Sequence, residues 1–183
     1  MSDRLVSYNA SVVSGRGIAR DHVAAEYNDF RQATGEELFL GSLNLVLAEP
    51  VLLNRDTAVS TGDSGRLLWQ AHLQGMSVWV YRYANAPLHV AEILSPVKLR
   101  DAFDLTDGDT VDIVLSKRDI VPLSRRRQAA WRLLWQGRGH WAYQRDWYYW
   151  RFRTLAADLG ATQKPIRRGV VLSILKYVIR GFR

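Results

Sequence analysis

Residues 92–116 limit most sharply what this chain can become. They read Glu-Ile-Leu-Ser-Pro-Val-Lys-Leu-Arg-Asp-Ala-Phe-Asp-Leu-Thr-Asp-Gly-Asp-Thr-Val-Asp-Ile-Val-Leu-Ser. A short apolar run ends at a proline. One helical turn, Lys98 to Phe103, follows with Lys98 and Arg100 exposed. Thr106-Asp107-Gly108-Asp109 then makes a tight turn, because Gly108 accepts a positive φ and Asp107 can bond its own backbone. Thr110 to Leu115 alternates and is rich in β-branched residues, which reads as a strand. Strand, basic turn, Asp-Gly turn and strand together make a compact barrel corner with two cations at its mouth.

The rest of residues 1–120 has the same texture. Leu5 to Ser14 alternates loosely through Val6, Tyr8, Ala10 and Val12. His22 to Thr34 reads as a short helix, with Gly35 at its C-cap. Leu43, Leu45 and Leu47 share one face of a strand, and Ser42, Asn44 and Val46 share the other. Val51-Leu52-Leu53 is a short apolar piece before the turn residues 61–65. Leu67 to Gln74 and Met76 to Arg82 read as a hairpin about Gly75. Short strands divided by turns, with one or two short helices, predict a mainly β domain closed into a small barrel.

Charge divides the chain in two. The whole carries +7, but residues 1–120 hold 11 Lys and Arg against 16 Asp and Glu, whereas residues 121–183 hold 14 against 2. The expected domains are therefore 1–120, the barrel, and 121–183, a basic, Trp- and Arg-rich helical extension. The absence of cysteine removes disulfides, thiolate chemistry and Cys-type zinc sites. It fits a reducing cytoplasm. No apolar run approaches the ~18 residues that read as a membrane-spanning helix.

Three groups of residues carry candidate chemistry. Gly15-Arg16-Gly17-Ile18-Ala19-Arg20 sets two glycines among arginines. That suits a phosphate cradle, and it equally suits a glycine hairpin with solvated arginines. Ser42 and Asn44 offer a hydroxyl and an amide oxygen, hard donors of the kind Mg²⁺ accepts; a strand face turned to water has the same spacing. His89 and Glu92 precede the barrel corner and are the candidates for a proton acceptor, although a lone histidine is more often structural.

Taken together, Ser-Gly-x-Gly-x-Ala-Arg, Gly-Ser-Leu-Asn-Leu, Glu-Ile-Leu-Ser-Pro-Val-Lys-Leu-Arg and Leu-Thr-Asp-Gly-Asp-Thr-Val stand in an order that resembles the archaeal CTP-dependent riboflavin kinase family. The resemblance covers roughly residues 6–116. It implies a six-stranded cradle-loop barrel that moves the γ-phosphate of CTP onto riboflavin, giving FMN. Residue by residue, it implies nucleotide contacts at Arg16, Gly17, Ile18, Ala19, Arg20 and Asp21, and at Val97, Lys98, Leu99 and Arg100. It implies Mg²⁺ at Ser42 and Asn44, and a flavin contact at Glu92. The chain departs from the family in several places. Ala19 replaces a third loop glycine, and Asp21-His22-Val23-Ala24 stands where the family has aromatic and proline residues. Ala84 stands where the family has a flavin-contacting threonine, and the segment before Glu92 is shorter and lacks the family's Thr-x-His. A different acceptor, saccharide or lipid-linked, and a non-catalytic nucleotide-binding barrel are the alternatives.

The extension lies outside the resemblance. Trp131, Leu134 and Trp135 share a helical face, five tryptophans fall between 131 and 150, and Val170 to Ile179 is apolar among arginines. A helical appendage packed on its own aromatics, an interfacial anchor on an anionic inner membrane surface, and nucleic-acid binding all use such residues. The apolar final segment ranks the membrane above nucleic acid.

Overall fold

A computed structural model describes residues 4–15, 19–61, 66–83, 85–138 and 154–164. Nine strands and four helices are labelled here in chain order: β1 Leu5–Val13, α1 Ala19–Ala25, α2 Tyr27–Thr34, β2 Leu43–Leu47, β3 Leu52–Leu53, β4 Val59–Thr61, β5 Arg66–Leu73, β6 Met76–Arg82, β7 Val90–Leu94, α3 Leu99–Ala102, β8 Thr110–Ser116, β9 Ile120–Val121 and α4 Arg125–Trp135.

The sheet order is β4-β5-β6-β7-β2-β1-β8, every pairing antiparallel. β5 divides its outer edge. Its start, Arg66–Leu68, pairs with β4, and its end pairs with β8 through Ala71↔Leu115, His72↔Val114 and Leu73↔Ile113. That second pairing closes β5, β6, β7, β2, β1 and β8 into a six-stranded barrel, the architecture expected from the strand-and-turn pattern. The β5–β6 turn is Gln74-Gly75 with φ of 49° and 84°. Two successive positive values are the geometry of a type I′ hairpin loop, which suits the right-handed twist of its strands.

Alternation sorts the side chains. Val12, Leu43, Leu45, Leu47, Trp69, Val80, Ile93, Val111 and Ile113 fill the barrel. Trp69 is large enough to span much of that interior, and its indole N–H donates to the Asn54 carbonyl at 2.7 Å. The outward residues Leu68, Trp79, Tyr81 and Leu94 form a second cluster with Val23, Phe30 and Leu38, so α1 and α2 cover one side of the wall. The expected single helix 22–34 is two helices that meet at Glu26. Gly35 closes α2 at φ 72°, and its N–H donates to the Arg31 carbonyl.

The chain separates into two compact units. One comprises residues 1–83 and 89–121 and holds the barrel; the other comprises 84–88 and 122–183. Within the second, Gln163 N–H donates to the Ala86 carbonyl at 2.9 Å, which ties the β6–β7 connection to the C-terminal part. There α4 and the helical residues 154–159 bury Ala130, Leu134, Trp135, Ala156 and Ala161. Arg127 is buried and donates to the carbonyls of Gly160, Thr162 and Lys164 at 2.9–3.2 Å. The aromatic run 140–153 and the apolar segment 170–179 lie outside the described residues.

The inward and outward assignment of β2 is directly testable. Leu45→Ala should cost about 2–5 kcal/mol, and Val46→Ala on the outer face under about 1 kcal/mol, read from urea unfolding. Equal costs would contradict the alternation.

Candidate active site

The corner foreseen at 92–116 is stitched to the end of β1. Gly108, at φ 97°, donates its N–H to the Val12 carbonyl at 2.9 Å, and Val12 N–H donates to Asp109 at 2.8 Å. Asp109 accepts from the Thr106 N–H at 2.6 Å and from its hydroxyl at 3.0 Å. Asp107 does not bond its own turn. Its Oδ2 accepts from the Ser14 N–H at 2.9 Å, and its Oδ1 accepts from Arg100 at 2.6 Å. Those bonds, Ser14 first and then Arg100, hold its carboxyl below the usual aspartate range. Arg100 also donates to the Val13 carbonyl at 3.1 Å, so its guanidinium braces the corner. Lys98 is half-exposed and pairs with Asp101 at 2.8 Å.

A cleft of about 100 Å³ opens beside this corner. Ser42, Val97, Lys98, Leu99 and Arg100 all line it, together with Phe39 and Gly41. Phe39 and Val97 are exposed at its rim. Gly41 lies against the Phe39 ring: a Cβ there would come within 2.9 Å of it.

Ser42 and Asn44 do not face open water. Asn44 lies opposite Val13 on one side and opposite Glu92 on the other; Glu92 in turn lies opposite Tyr81. Side chains so placed are about 5 Å apart at Cβ. The outer wall therefore carries a row Val13, Asn44, Glu92, Tyr81, with Ser42 at the head of β2. The Ser42 hydroxyl is buried and has no partner in regular hydrogen-bond geometry, although it lies close enough to Glu92 to favour the ionised carboxylate. Desolvation dominates at Glu92 and pushes its pKa up to about 7, with Arg66 and then Ser42 pulling it back. Gly15 packs on the Asn44 side chain so closely that a Cβ there would sit 2.4 Å from Nδ2. Any side chain at Gly15 would have to displace the Asn44 amide.

The other expected residues fall as follows. Arg16, Gly17 and Ile18 lie outside the described residues; Ala19 and Arg20 open α1, described by their backbone only. Asp21 is exposed in α1. His89 is buried at the far end of the β2–β7 ladder, where its carbonyl accepts from the Leu47 N–H, and the structure does not bring it to Ser42 and Asn44. Ala84 lies outside the described residues.

Sequence reading missed three residues. Arg66 donates to the Tyr81 hydroxyl and to Glu26 Oε1, each at 2.5 Å. The signal was present in part: Arg66 stands two residues before Leu68, the strand partner of Tyr81, on the same outer face. Glu26 could not be paired with it from spacing alone.

No protein-family model matches the chain. The riboflavin kinase of Methanocella arvoryzae is 27% identical over 116 residues, 57% of this chain and 54% of that protein. The riboflavin kinase of Ignicoccus hospitalis is 27% identical over 127 residues, 60% of this chain and 71% of that protein. This chain resembles the archaeal riboflavin kinases. The match spans little more than half the length of the first relative. Among the described residues, no group of three or more His, Cys, Asp or Glu side chains is placed to hold a metal. The donors the barrel does present, a hydroxyl with no regular partner and an amide held against Gly15, fit a hard cation such as Mg²⁺.

Glu92 makes a pH prediction. Its folded pKa is raised from 4.5 to about 7, so the folded state holds the proton more tightly than the unfolded one. That stability is fully present below the unfolded value and is lost as pH rises to about 7. In metal-free buffer, Glu92→Gln should flatten the fall in urea midpoint between those limits. Parallel pH curves for the two proteins would contradict it.

Proposed function

We propose that the barrel is a riboflavin kinase that takes its phosphate from CTP, with Mg²⁺ as the metal. The observation that carries this reading is one row on the outer wall, Asn44 beside Glu92, with Ser42 at its head and the Val97–Arg100 cleft adjoining. Two similar proteins named riboflavin kinase support it.

Phosphoryl transfer asks a protein for positioning and charge neutralisation more than for covalent chemistry. The Ser42 hydroxyl and the Asn44 amide oxygen would hold the Mg²⁺, which when bound neutralises phosphate charge. Lys98 adds a cation at the cleft. The 97–100 segment would contact the nucleotide, and Arg100 ties it to the end of β1 through Val13 and Asp107. Glu92, with a pKa near neutrality, is partly ionised at pH 7 and can take the proton of the acceptor hydroxyl.

The test is incubation with Mg²⁺, riboflavin and CTP, ATP or GTP. CTP should give FMN and CDP in equal amounts. Asn44→Ala should lower kcat/KM by about a hundredfold or more, the scale of losing a group that stabilises the transferring charge. Gly15→Ala should lower it too, by displacing the Asn44 amide. CDP without FMN would move the reading to a saccharide or lipid-linked acceptor. Nucleotide binding without turnover would make the barrel a binding module.

A peripheral membrane role for the C-terminal unit has its own support. Arg125, Arg126 and Arg132 are exposed on α4 beside Leu133, which is 73% exposed. Among the described residues, no helix is long and apolar enough to cross a membrane. A basic face with an apolar residue suits an anionic lipid surface. The chain should co-sediment with vesicles containing phosphatidylserine and not with pure phosphatidylcholine. Replacing the three arginines by glutamate should abolish this. Binding to DNA but not to vesicles would favour nucleic acid.

A further inference from the structure

A second layer of polar groups stands behind Glu92. Tyr81 is its neighbour across β6 and β7. Arg66 reaches the Tyr81 hydroxyl from the diagonal position on β5, a distance that only a long side chain covers. The same guanidinium lies 5.4 Å from the centre of the Tyr81 ring and pairs with Glu26 at 2.5 Å. Both partners of that pair are mostly shielded, at 18% and 20% exposure. Phe30 of α2 packs on the same ring edge-on, at 6.0 Å.

Glu26 is placed unusually for its type. It occupies the N-cap of α2, yet its side chain makes no cap hydrogen bond. A capping side chain satisfies an N–H of the first turn; this one turns to Arg66 instead. Its other oxygen, Oε2, is buried without a partner among the described residues. Arg66 is therefore the group that makes burial of this carboxylate tolerable. The surrounding wall is apolar, built from Leu68, Trp79, Leu94 and Val23. One guanidinium thus joins the α1–α2 junction, the Tyr81 hydroxyl and, through its field, the Glu92 carboxylate.

We propose that Arg66 is a positioning residue for the acceptor side of the site: by clamping Glu26 and Tyr81, it fixes the wall on which Glu92 meets the acceptor. The inference rests on the kinase reading above. It assigns Arg66, Tyr81 and Glu26 to positioning the acceptor side and leaves the nucleotide to the opposite flank, Asn44, Ser42 and the 97–100 corner. None of the three is among the residues that line the cleft.

Steady-state kinetics on the full chain separate the outcomes, varying riboflavin at saturating CTP and then the reverse. Arg66→Gln alone would strand the Glu26 charge, so the main variant is the double Glu26→Gln/Arg66→Gln. Its riboflavin KM should rise about tenfold, the scale of losing hydrogen bonds to a charged group, with the CTP KM within about twofold. Arg66→Lys should restore part of the riboflavin KM. Tyr81→Phe, which keeps the ring against Phe30, should shift it in the same direction by less. A lowered melting temperature with both KM values unchanged overturns the inference in favour of a structural ion pair. Equal rises in both KM values overturn it as well, because the clamp would then serve the whole site. Wild-type protein that makes no FMN fails the kinase reading, and this inference with it, before any variant is compared.

Discussion

The pairing of β5 with β8 is the constraint on which everything else depends. Three cross-strand pairs, Ala71↔Leu115, His72↔Val114 and Leu73↔Ile113, turn an open sheet into a closed wall. Closure removes two sheet edges, and it also fixes an inside. Once Leu45, Ile93 and Ile113 must point inward, period-two geometry sends Asn44, Glu92 and Tyr81 outward in one row. A slip of one residue in β2 would bury Asn44 and expose three leucines. Barrel closure and site assembly are therefore one structural event.

Such a wall needs a second surface before it can hold a ligand, and two elements supply it. The α1–α2 pair covers the aromatic side, around Trp79 and Tyr81. The corner 95–109 covers the other, tied to β1 by Arg100 and Asp107. Arg100 shows how a residue that reads as a ligand-binding cation can be spent on the scaffold. Its donors go to Val13, Leu105 and Asp107. Its partner Asp107 grips the Ser14 backbone at the end of β1, while Lys98, held by an exposed pair with Asp101, lines the cleft.

Local chemistry explains which features could be read in advance. Gly108 took the positive φ expected of it, the hairpin about Gly75 formed, and the alternation in β1, β2 and β8 located the core faces, because these signals are confined to a few residues. The helix break at Glu26 was not readable. Nothing in Ala-Ala-Glu-Tyr-Asn forbids a continuous helix, and the break answers to an arginine 40 residues away. Ser42 and Asn44 were readable as a pair, but their surroundings were not. Spacing alone favoured a watery face, and only the Asn44↔Glu92 register and the Gly15 contact show that face to be enclosed. Arg100's commitment to Val13 likewise depends on a pairing 87 residues apart.

The outer row also breaks rules that the rest of the barrel obeys. Inside, packing is mostly apolar; the Trp69 indole is satisfied, and the buried Arg82 guanidinium donates to the Val51 carbonyl. Around Glu92 the balance differs: a carboxyl with a raised pKa, a buried hydroxyl without a regular partner and a glutamate with one unpartnered oxygen crowd a single patch. Each costs folding stability, because a desolvated polar group loses its water without full replacement. A barrel selected for stability alone would place leucine or valine at such positions, as it does at Val46 and Val90 on the same outer faces. Groups left short of partners in the free protein are the ones a bound cation or hydroxyl can complete. The crowding of such groups around Glu92 is the physical reason to propose the chemistry there.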